Sequence, residues 1–185
     1  MRIVTAIALL LSLALAPAGL GRADQNDPRL DELFARLKAA SDPQAARDIE
    51  MNIWHIWIVS DDEVVGTLMA QGMAAMARRD YRAALGKFDQ MVTIAPDFAE
   101  GWNKRATVHY LLGNYERSLH DIDRTLALEP RHFGALSGRG LVYVALKKDE
   151  LALESFEAAL EIHPLLPGAG YNAEALRRRL GNREI

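Results

Sequence analysis

Three segments of the sequence, ALGKFDQMVTIAP at 84–96, SLHDIDRTLALEP at 118–130 and ALESFEAALEIHP at 152–164, end in proline at a spacing of 34 residues. Each segment opens with a small residue, and apolar residues follow at four-residue intervals, which places them on one face of a helix. The final proline ends that helix because it cannot continue the hydrogen-bond ladder. A fixed period of this size indicates stacked supersecondary units that cover one another's apolar faces.

Each period also contains a second column of small residues, formed by Gly72, Ala106 and Gly140. The column precedes the proline-ended segments, so each unit is predicted to be a pair of helices. Small side chains in both helices allow the two axes to approach closely. We expect Asp97 and Glu100 to form a capping box that starts the helix after the first proline.

The paired columns resemble the tetratricopeptide repeat (TPR), whose signature reads W-x2-L-G-x2-Y, then A-x3-F, then P. The second unit has Trp102 but departs from the signature with Arg105 and His109. The third unit matches best, through Leu136, Gly140, Tyr143, Ala152, Phe156 and Pro164. The resemblance covers 65–166 and implies an all-α fold, a right-handed superhelical stack (alpha-alpha superhelix) of TPR helix pairs with terminal capping helices. The whole chain is also similar to small exported TPR proteins of Gram-negative bacteria.

The sequence divides into six predicted segments. They are a signal peptide at 1–23, an N-terminal helical hairpin at 24–64 that is a cap or a degenerate repeat, TPR units at 65–98, 99–132 and 133–166, and a C-terminal capping helix at 167–185. Caps are expected because a bare stack would expose an apolar face at each end. In the final helix, Arg177 to Arg179 are expected to face water.

The N-terminal hairpin is predicted from two helix-start signals, Asp27-Pro28 and Asp42-Pro43. Its second helix is apolar on two faces. One face holds Ile49, Ile53 and Trp57, and the other holds Met51, Trp54 and Ile58. We therefore expect this helix to lie between its own partner helix and the first repeat.

The first 23 residues have the features of a signal peptide. Arg2 is followed by an uncharged run at 3–16, and small residues lead to a cleavage site expected after Ala23, with Ala18 as the second candidate. The protein is therefore expected to be exported, to the periplasm. The alternative is an uncleaved anchor that makes the protein a membrane-tethered adaptor, although Pro17 interrupts the roughly 20 apolar residues that a span requires.

Composition and motifs argue against several classes of function. The net charge of −3 becomes −5 without 1–23 and does not favour binding to nucleic acid. The absence of cysteine excludes disulfides and thiol nucleophiles. The five histidines form no H-x-x-x-H pair, and His120, Asp121 and Asp123 point to different faces of a helix. We predict no catalytic residue, no cofactor and no metal; the rival interpretation is a hydrolase or a metal-binding protein.

A glycine cluster in the third unit resembles a phosphate-binding loop only superficially. Gly134, Gly138 and Gly140 lack the G-x-x-x-x-G-K-[ST] spacing and do not follow a strand. Helix packing accounts for Gly140. The close approach of a neighbour or a ligand is the expected reason for Gly134 and Gly138.

The resemblance implies a protein-binding groove, because the first helix of each TPR pair lines a concave face. Met69, Met73 and Met76 share one helix face, and such a flexible stripe either accepts an apolar peptide or packs against the N-terminal hairpin. A subclass of the family binds C-terminal carboxylates through basic residues on these helices. At those positions Lys104 is the one basic residue, so this clamp is absent. The predicted groove residues are Met69, Met73, Met76, Asn103, Lys104, Thr107, Tyr110, Ser137, Leu141 and Val144.

The predicted function is therefore that of a non-catalytic scaffold or assembly factor for protein–protein interaction in the cell envelope. The expected partner is an unidentified protein or peptide. Nucleic acid and a membrane span of the mature chain are not expected. The protein is expected to be a monomer or a weak oligomer.

We predict that the exported protein begins at Asp24, because export machinery removes a segment of this kind after a small residue. The intact mass of the protein purified from its native compartment should correspond to 24–185. A mass that still includes 1–23 would support the membrane-tethered adaptor instead.

Overall fold

The structure, a computed structural model, describes residues 24–182, and these residues form nine helices with no strand among them. The helices are α1 Arg29–Ala39, α2 Pro43–Ile58, α3 Glu63–Ala77, α4 Tyr81–Ile94, α5 Ala99–Leu111, α6 Tyr115–Leu128, α7 Phe133–Ala145, α8 Asp149–Ile162 and α9 Pro167–Gly181. The signal peptide predicted at 1–23 lies outside the described residues. Within 24–182, no helix combines the length and the apolar character needed to cross a bilayer.

The 34-residue period corresponds to three helix pairs, α3 with α4, α5 with α6 and α7 with α8. Each pair packs on the next, and α9 packs on α8, so the all-α stack expected from the period is confirmed. The predicted final helix begins at Pro167 as expected. Arg177 to Arg179 are exposed there, and Arg177 donates a hydrogen bond to Glu157 of α8.

The small residues allow the two helices of a pair to touch. A Cβ atom at Gly72 would lie 2.5 Å from the ring of Phe88, and one at Gly140 would lie 2.7 Å from the ring of Phe156. In the middle pair, Ser118 of α6 donates a hydrogen bond to the carbonyl of Ala106 in α5 at 2.9 Å. The columns identified in the sequence are therefore the contact line within each repeat.

Each pair turns through one residue in the left-handed region, and these three residues repeat at the same period. They are Arg79, Gly113 and Lys147, with φ of 60°, 75° and 58°. In every case the next amide donates to a carbonyl in the last turn of the first helix, as Asp80 does to Ala75. Because the turn between the two helices has the same geometry in all three repeats, the three helix pairs have the same shape.

Side-chain caps start several helices, but the capping box expected from Asp97 and Glu100 is wrong. Asp42 and Asp62 cap α2 and α3 through bonds to amides of the first turn. The first residue before α5 is Phe98, which makes no side-chain cap. Glu100 does not reach back to this end of the helix because its carboxylate contacts Lys104, Asn103 and His132 inside the protein.

The N-terminal hairpin packs against the third repeat, which corrects the expected position beside the first. Its buried core includes Phe133 of α7 and is bordered by Ile162, Leu165 and Leu166. No described residue of 65–98 belongs to this cluster. The second apolar face of α2 is covered only in part, since Met51 is 61% exposed whereas Trp54 packs against Phe133 of the third repeat.

The connections between repeats hold the hairpin in this position. Gln25 donates a hydrogen bond to the carbonyl of Asp97, between α4 and α5, at 2.6 Å. Arg131, between α6 and α7, donates to Asp31 of α1 at 2.6 Å. His163, between α8 and α9, pairs with a carboxylate of α2. The hairpin thus lies along the ends of the helix pairs, and its aromatic residues fill the space beside α7.

We predict that Gly140→Ala lowers the free energy of unfolding by about 1 to 3 kcal/mol, because its methyl group would overlap the Phe156 ring. Chemical denaturation measures the change. The matched control is Gly86→Ala in α4, where a Cβ atom meets nothing within 4 Å. That variant should gain up to about 1 kcal/mol from its higher helix propensity. Equal effects at the two sites would contradict the packing described for the repeats.

Candidate functional site

A pocket of about 250 Å³ opens between α2, α5 and α7. Helices α5 and α7 are the first helices of their pairs, so the pocket lies on the face where the groove was expected, and α2 forms an additional wall. Its lining residues are Glu50, Trp54, Asn103, Ala106, Thr107, Tyr110, Ser118, Ile122, Phe133, Gly134, Ser137, Gly138, Leu141, Leu166 and Gly168. The lining combines aromatic rings, aliphatic side chains and a few hydroxyl and amide groups.

Trp54 forms the wall that α2 contributes, and its ring is held on several sides. It packs edge-on against Trp57 and Phe133, with ring centroids 5.3 and 5.5 Å apart. Gly134 makes room for it, since a Cβ atom there would lie 2.5 Å from the Trp54 ring. The close approach of a neighbour expected at Gly134 is therefore confirmed, and the neighbour is the hairpin.

Glu50 is the one charged residue among the described residues that line the pocket. Its carboxylate accepts a hydrogen bond from Nε1 of Trp54 at 3.1 Å and lies 3.2 Å from Nε2 of His163. The bond to His163 lowers the pKa of Glu50, partial burial opposes that shift, and the bond from Trp54 adds to it. The pocket therefore has a negative charge at neutral pH.

A second carboxylate, Glu100, is buried behind the wall of the pocket and is 1% exposed. Lys104 Nζ lies 2.7 Å from its Oε1, and Asn103 donates to its Oε2 at 2.8 Å. His132 Nε2 lies 3.0 Å from the same oxygen. Because His132 Nδ1 accepts a bond from the Ala135 amide, its Nε2 carries the proton and donates to Glu100.

These contacts set the charge state of Glu100 and join it to the hairpin. Burial raises the pKa of the carboxyl, but Lys104 and His132 together outweigh burial and lower the pKa to about 2. The ring of His132 stacks on Trp57 at 4.1 Å with an interplanar angle of 10°. The ammonium of Lys104 lies 5.2 Å from the Trp54 ring.

Five of the ten predicted groove residues line this pocket. They are Asn103, Thr107, Tyr110, Ser137 and Leu141. Lys104 lies beside the pocket and pairs with Glu100. Val144 packs against the core of the third repeat.

The three methionines do not act as one exposed stripe. Met69 is 4% exposed and belongs to the core of the first repeat, and Met76 packs against that core. Met73 is 40% exposed. The structure thus separates the stripe into a core residue, a core-edge residue and a surface residue, and none of the three lines the pocket.

The contributions of α2 and α9 to the pocket were not predicted from the sequence. Glu50, Trp54 and Gly168 lie outside the first helices of the repeats, which were the only elements that the family resemblance pointed to. One signal was available: Gly134 and Gly138 are one turn apart on α7 and suggest that something lies close to that face.

A separate polar cluster on α4, α5 and α6 is an ion-pair network. Arg105 bonds both oxygens of the buried Asp121, at 2.7 and 2.8 Å, and also Asp89 at 3.0 Å. Burial lowers the pKa of His109, which is packed beside this network. Within residues 24–182, no group of three or more His, Asp or Glu side chains is placed to hold a metal ion.

Sequence comparison identifies the fold as that of a known family. The family model described as tetratricopeptide repeat matches residues 69–119 and 103–167. The chain belongs to the tetratricopeptide repeat family. A TPR repeat-containing protein of Rhizobium etli is 38% identical over 156 residues, which are 84% of this chain and 76% of that protein.

Solved structures confirm the TPR superhelical fold. The Sgt2 TPR domain from Aspergillus fumigatus has a TM-score of 0.63 and 23% identity, covering 66% of this chain and 83% of the domain. The first TPR domain of Spaghetti (RPAP3), bound to the HSP90 peptide SRMEEVD, has a TM-score of 0.63 and 22% identity. That match covers 65% of this chain and 96% of the domain.

Acid is expected to destabilise this TPR protein through Glu100. The folded pKa of about 2 is below the ordinary value of 4.5, so below pH 4.5 the unfolded chain binds a proton that the folded chain does not. This stabilisation is complete above pH 4.5 and is lost as the pH falls towards 2. Between pH 5 and pH 2, wild type should lose about 3 kcal/mol more unfolding free energy than Glu100→Gln, as measured by urea denaturation.

The control for this prediction is Glu161→Gln, the same change at an exposed position of α8. It should keep the acid sensitivity of wild type. Equal acid sensitivity in wild type and Glu100→Gln would show that Lys104 and His132 do not hold the carboxylate in its ionised form.

Proposed function

We propose that this TPR protein binds a segment of a partner protein in the pocket between α2, α5 and α7, and that it acts as a non-catalytic scaffold or assembly factor in the cell envelope. The observation that supports the proposal is the pocket itself. It lies on the first helices of two adjacent repeats and is lined by apolar and hydroxyl-bearing residues. Such linings are typical of sites that take up side chains of a ligand.

Structural neighbours support peptide binding as the mode of interaction, and the charges here favour a different peptide. The first Spaghetti TPR domain is bound to SRMEEVD, a peptide with acidic residues at its end. In this protein, Lys104 is neutralised by Glu100 at 2.7 Å, and Glu50 contributes a negative charge to the pocket. A partner segment with no excess of acidic residues therefore fits this site better.

A location in the cell envelope is supported by the signal peptide predicted at 1–23. Cleavage there gives a protein that is released after export, and the periplasm is the compartment that we propose. Retention of 1–23 gives the alternative, a membrane-tethered adaptor with the same binding site. A non-catalytic role is supported by two buried carboxylates among the described residues, Glu100 and Asp121, which are engaged in ion pairs with Lys104 and Arg105.

The proposal is tested by site-specific photocrosslinking in the native compartment. A photoreactive residue in place of Thr107, which lines the pocket, should capture a specific protein. The same residue in place of Tyr171, which is 72% exposed on α9 and lies outside the pocket lining, should not capture it.

The affinity of the captured partner then distinguishes the pocket from the rest of the surface. Leu141→Glu places a charge in the pocket and should weaken binding at least about tenfold, because an unpaired charge is costly to bury. Leu151→Glu is the matched control on α8, since Leu151 and Leu141 are 41% and 36% exposed. Met73→Glu tests whether the interface extends to α3, as it would if the stripe of Met69, Met73 and Met76 accepted an apolar peptide.

Two results would count against the proposed function. In the first, Leu141→Glu folds with the melting temperature of wild type and binds the partner as tightly. In the second, the photoreactive residue at 171 captures the partner while the one at 107 does not. Either result would assign binding to another surface of the stack.

A further inference from the structure

We infer that the pocket receives one aromatic side chain from a partner segment that has no net negative charge, and that Gly138 is the residue that keeps the space for the ring. The inference rests on the proposed function, because it names the kind of segment that the same site binds. Three observations support it: the empty space next to Gly138, the aromatic rings that line the pocket, and the negative charge of Glu50 in the lining.

Gly138 is a glycine whose presence the packing of the protein does not require. A Cβ atom at Gly134 would lie 2.5 Å from Trp54, and one at Gly140 would lie 2.7 Å from Phe156. At Gly138 the nearest atom is Cδ1 of Ile122 at 4.0 Å, which is an ordinary contact distance. Glycine in the middle of a helix is less favourable than alanine, so a helix interior with this much room would be more stable with alanine.

The space left by Gly138 belongs to the pocket. Gly138 lines the pocket on α7, between Gly134 one turn earlier and Leu141 one turn later. The Trp54 ring covers the α7 backbone at Gly134, so the backbone is open to the pocket at Gly138, which has no side chain. A planar ring can lie against the backbone there, whereas a Cβ atom at 138 would occupy part of the same space.

The other walls suit an aromatic ring in shape and size. Trp54, Tyr110 and Phe133 line the pocket, and edge-to-face contact between rings is a favourable geometry. Trp54 is already fixed by its contacts with Trp57 and Phe133, so it forms a rigid wall. The volume of about 250 Å³ is sufficient, since a benzene molecule fits an apolar cavity of about 150 Å³.

The charge of the pocket lining determines which charged groups of the partner segment can lie next to its aromatic side chain. Glu50 is the one charged residue among the described lining residues, and no Lys or Arg is among them. The nearby ammonium of Lys104 lies 2.7 Å from Glu100 and is thereby neutralised. A carboxylate entering beside the ring would meet a like charge without a free cation, whereas an ammonium group or an amide would not.

The test uses three small molecules with the same ring and different charge, namely toluene, benzylamine and benzoate, titrated into the isotopically labelled protein and followed by NMR. Toluene and benzylamine should shift the backbone amide signals of Gly134, Ser137 and Gly138. Benzoate should bind at least about fivefold more weakly than benzylamine. Binding of toluene elsewhere, with no shift at these three amides, would overturn the inference.

Substitutions at Gly138 then test its role, with two sizes of side chain. Gly138→Ala should raise the melting temperature by about 2 to 4 °C and weaken toluene binding at least about threefold. Gly138→Leu should abolish toluene binding. The matched controls are Gly86→Ala and Gly86→Leu, at a helical glycine with nothing within 4 Å and outside the pocket, and both should bind toluene as wild type does.

The outcomes separate this inference from the proposed function. Toluene binding that survives Gly138→Leu in a folded protein would overturn the role of Gly138, and benzoate binding equal to that of benzylamine would overturn the charge preference. If the captured partner loses affinity through Leu141→Glu but its affinity is unchanged by Gly138→Leu, the inference fails and the proposed function stands. If toluene binds as expected while Leu141→Glu leaves partner affinity unchanged, the proposed function fails.

Discussion

A buried carboxylate must be neutralised by its surroundings, and the position of the hairpin depends on how this constraint is met at Glu100. Lys104 and His132 supply the compensating contacts at 2.7 and 3.0 Å. The other nitrogen of His132 caps α7, and its ring stacks on Trp57 of α2. By holding His132, the Glu100 carboxylate fixes the start of the third repeat. It also orients the flat imidazole ring against which Trp57 of the hairpin packs.

The hairpin is consequently a part of the proposed binding site. In a bare stack of TPR pairs, the concave face would be bounded by the first helices of the repeats alone. Here α2 adds Trp54 and Glu50, which give the groove a third wall and its negative charge. The shape and the charge of the pocket both depend on residues that precede the repeats in the chain, so the repeats and the hairpin form one structural unit.

The periodic part of this protein was predictable from sequence, and the aperiodic part was not. Spacing alone located the helix pairs, because a small residue that faces a large one, as Gly72 faces Phe88 and Gly140 faces Phe156, recurs at the contact within each pair. The hairpin obeys no period, and its apolar residues would fit either end of the stack. Its position depends on single contacts such as that of Glu50 with His163. These contacts do not recur at the repeat spacing, so the sequence alone could not predict them. Five of the fifteen residues that line the pocket, all on α5 and α7, were therefore predicted, and its α2 wall was missed.

The contacts of the hairpin join residues that lie far apart in the chain. Asp31 bonds Arg131, and Glu50 meets His163, at separations of 100 and 113 positions. Repeats contact their neighbours, so a stack can begin to fold anywhere and grow by local steps. Closing a loop of this length costs entropy and slows folding. The hairpin precedes the repeats in the chain, yet its place is set by contacts with residues at both ends of the third repeat, so the pocket that it completes requires that repeat to be folded.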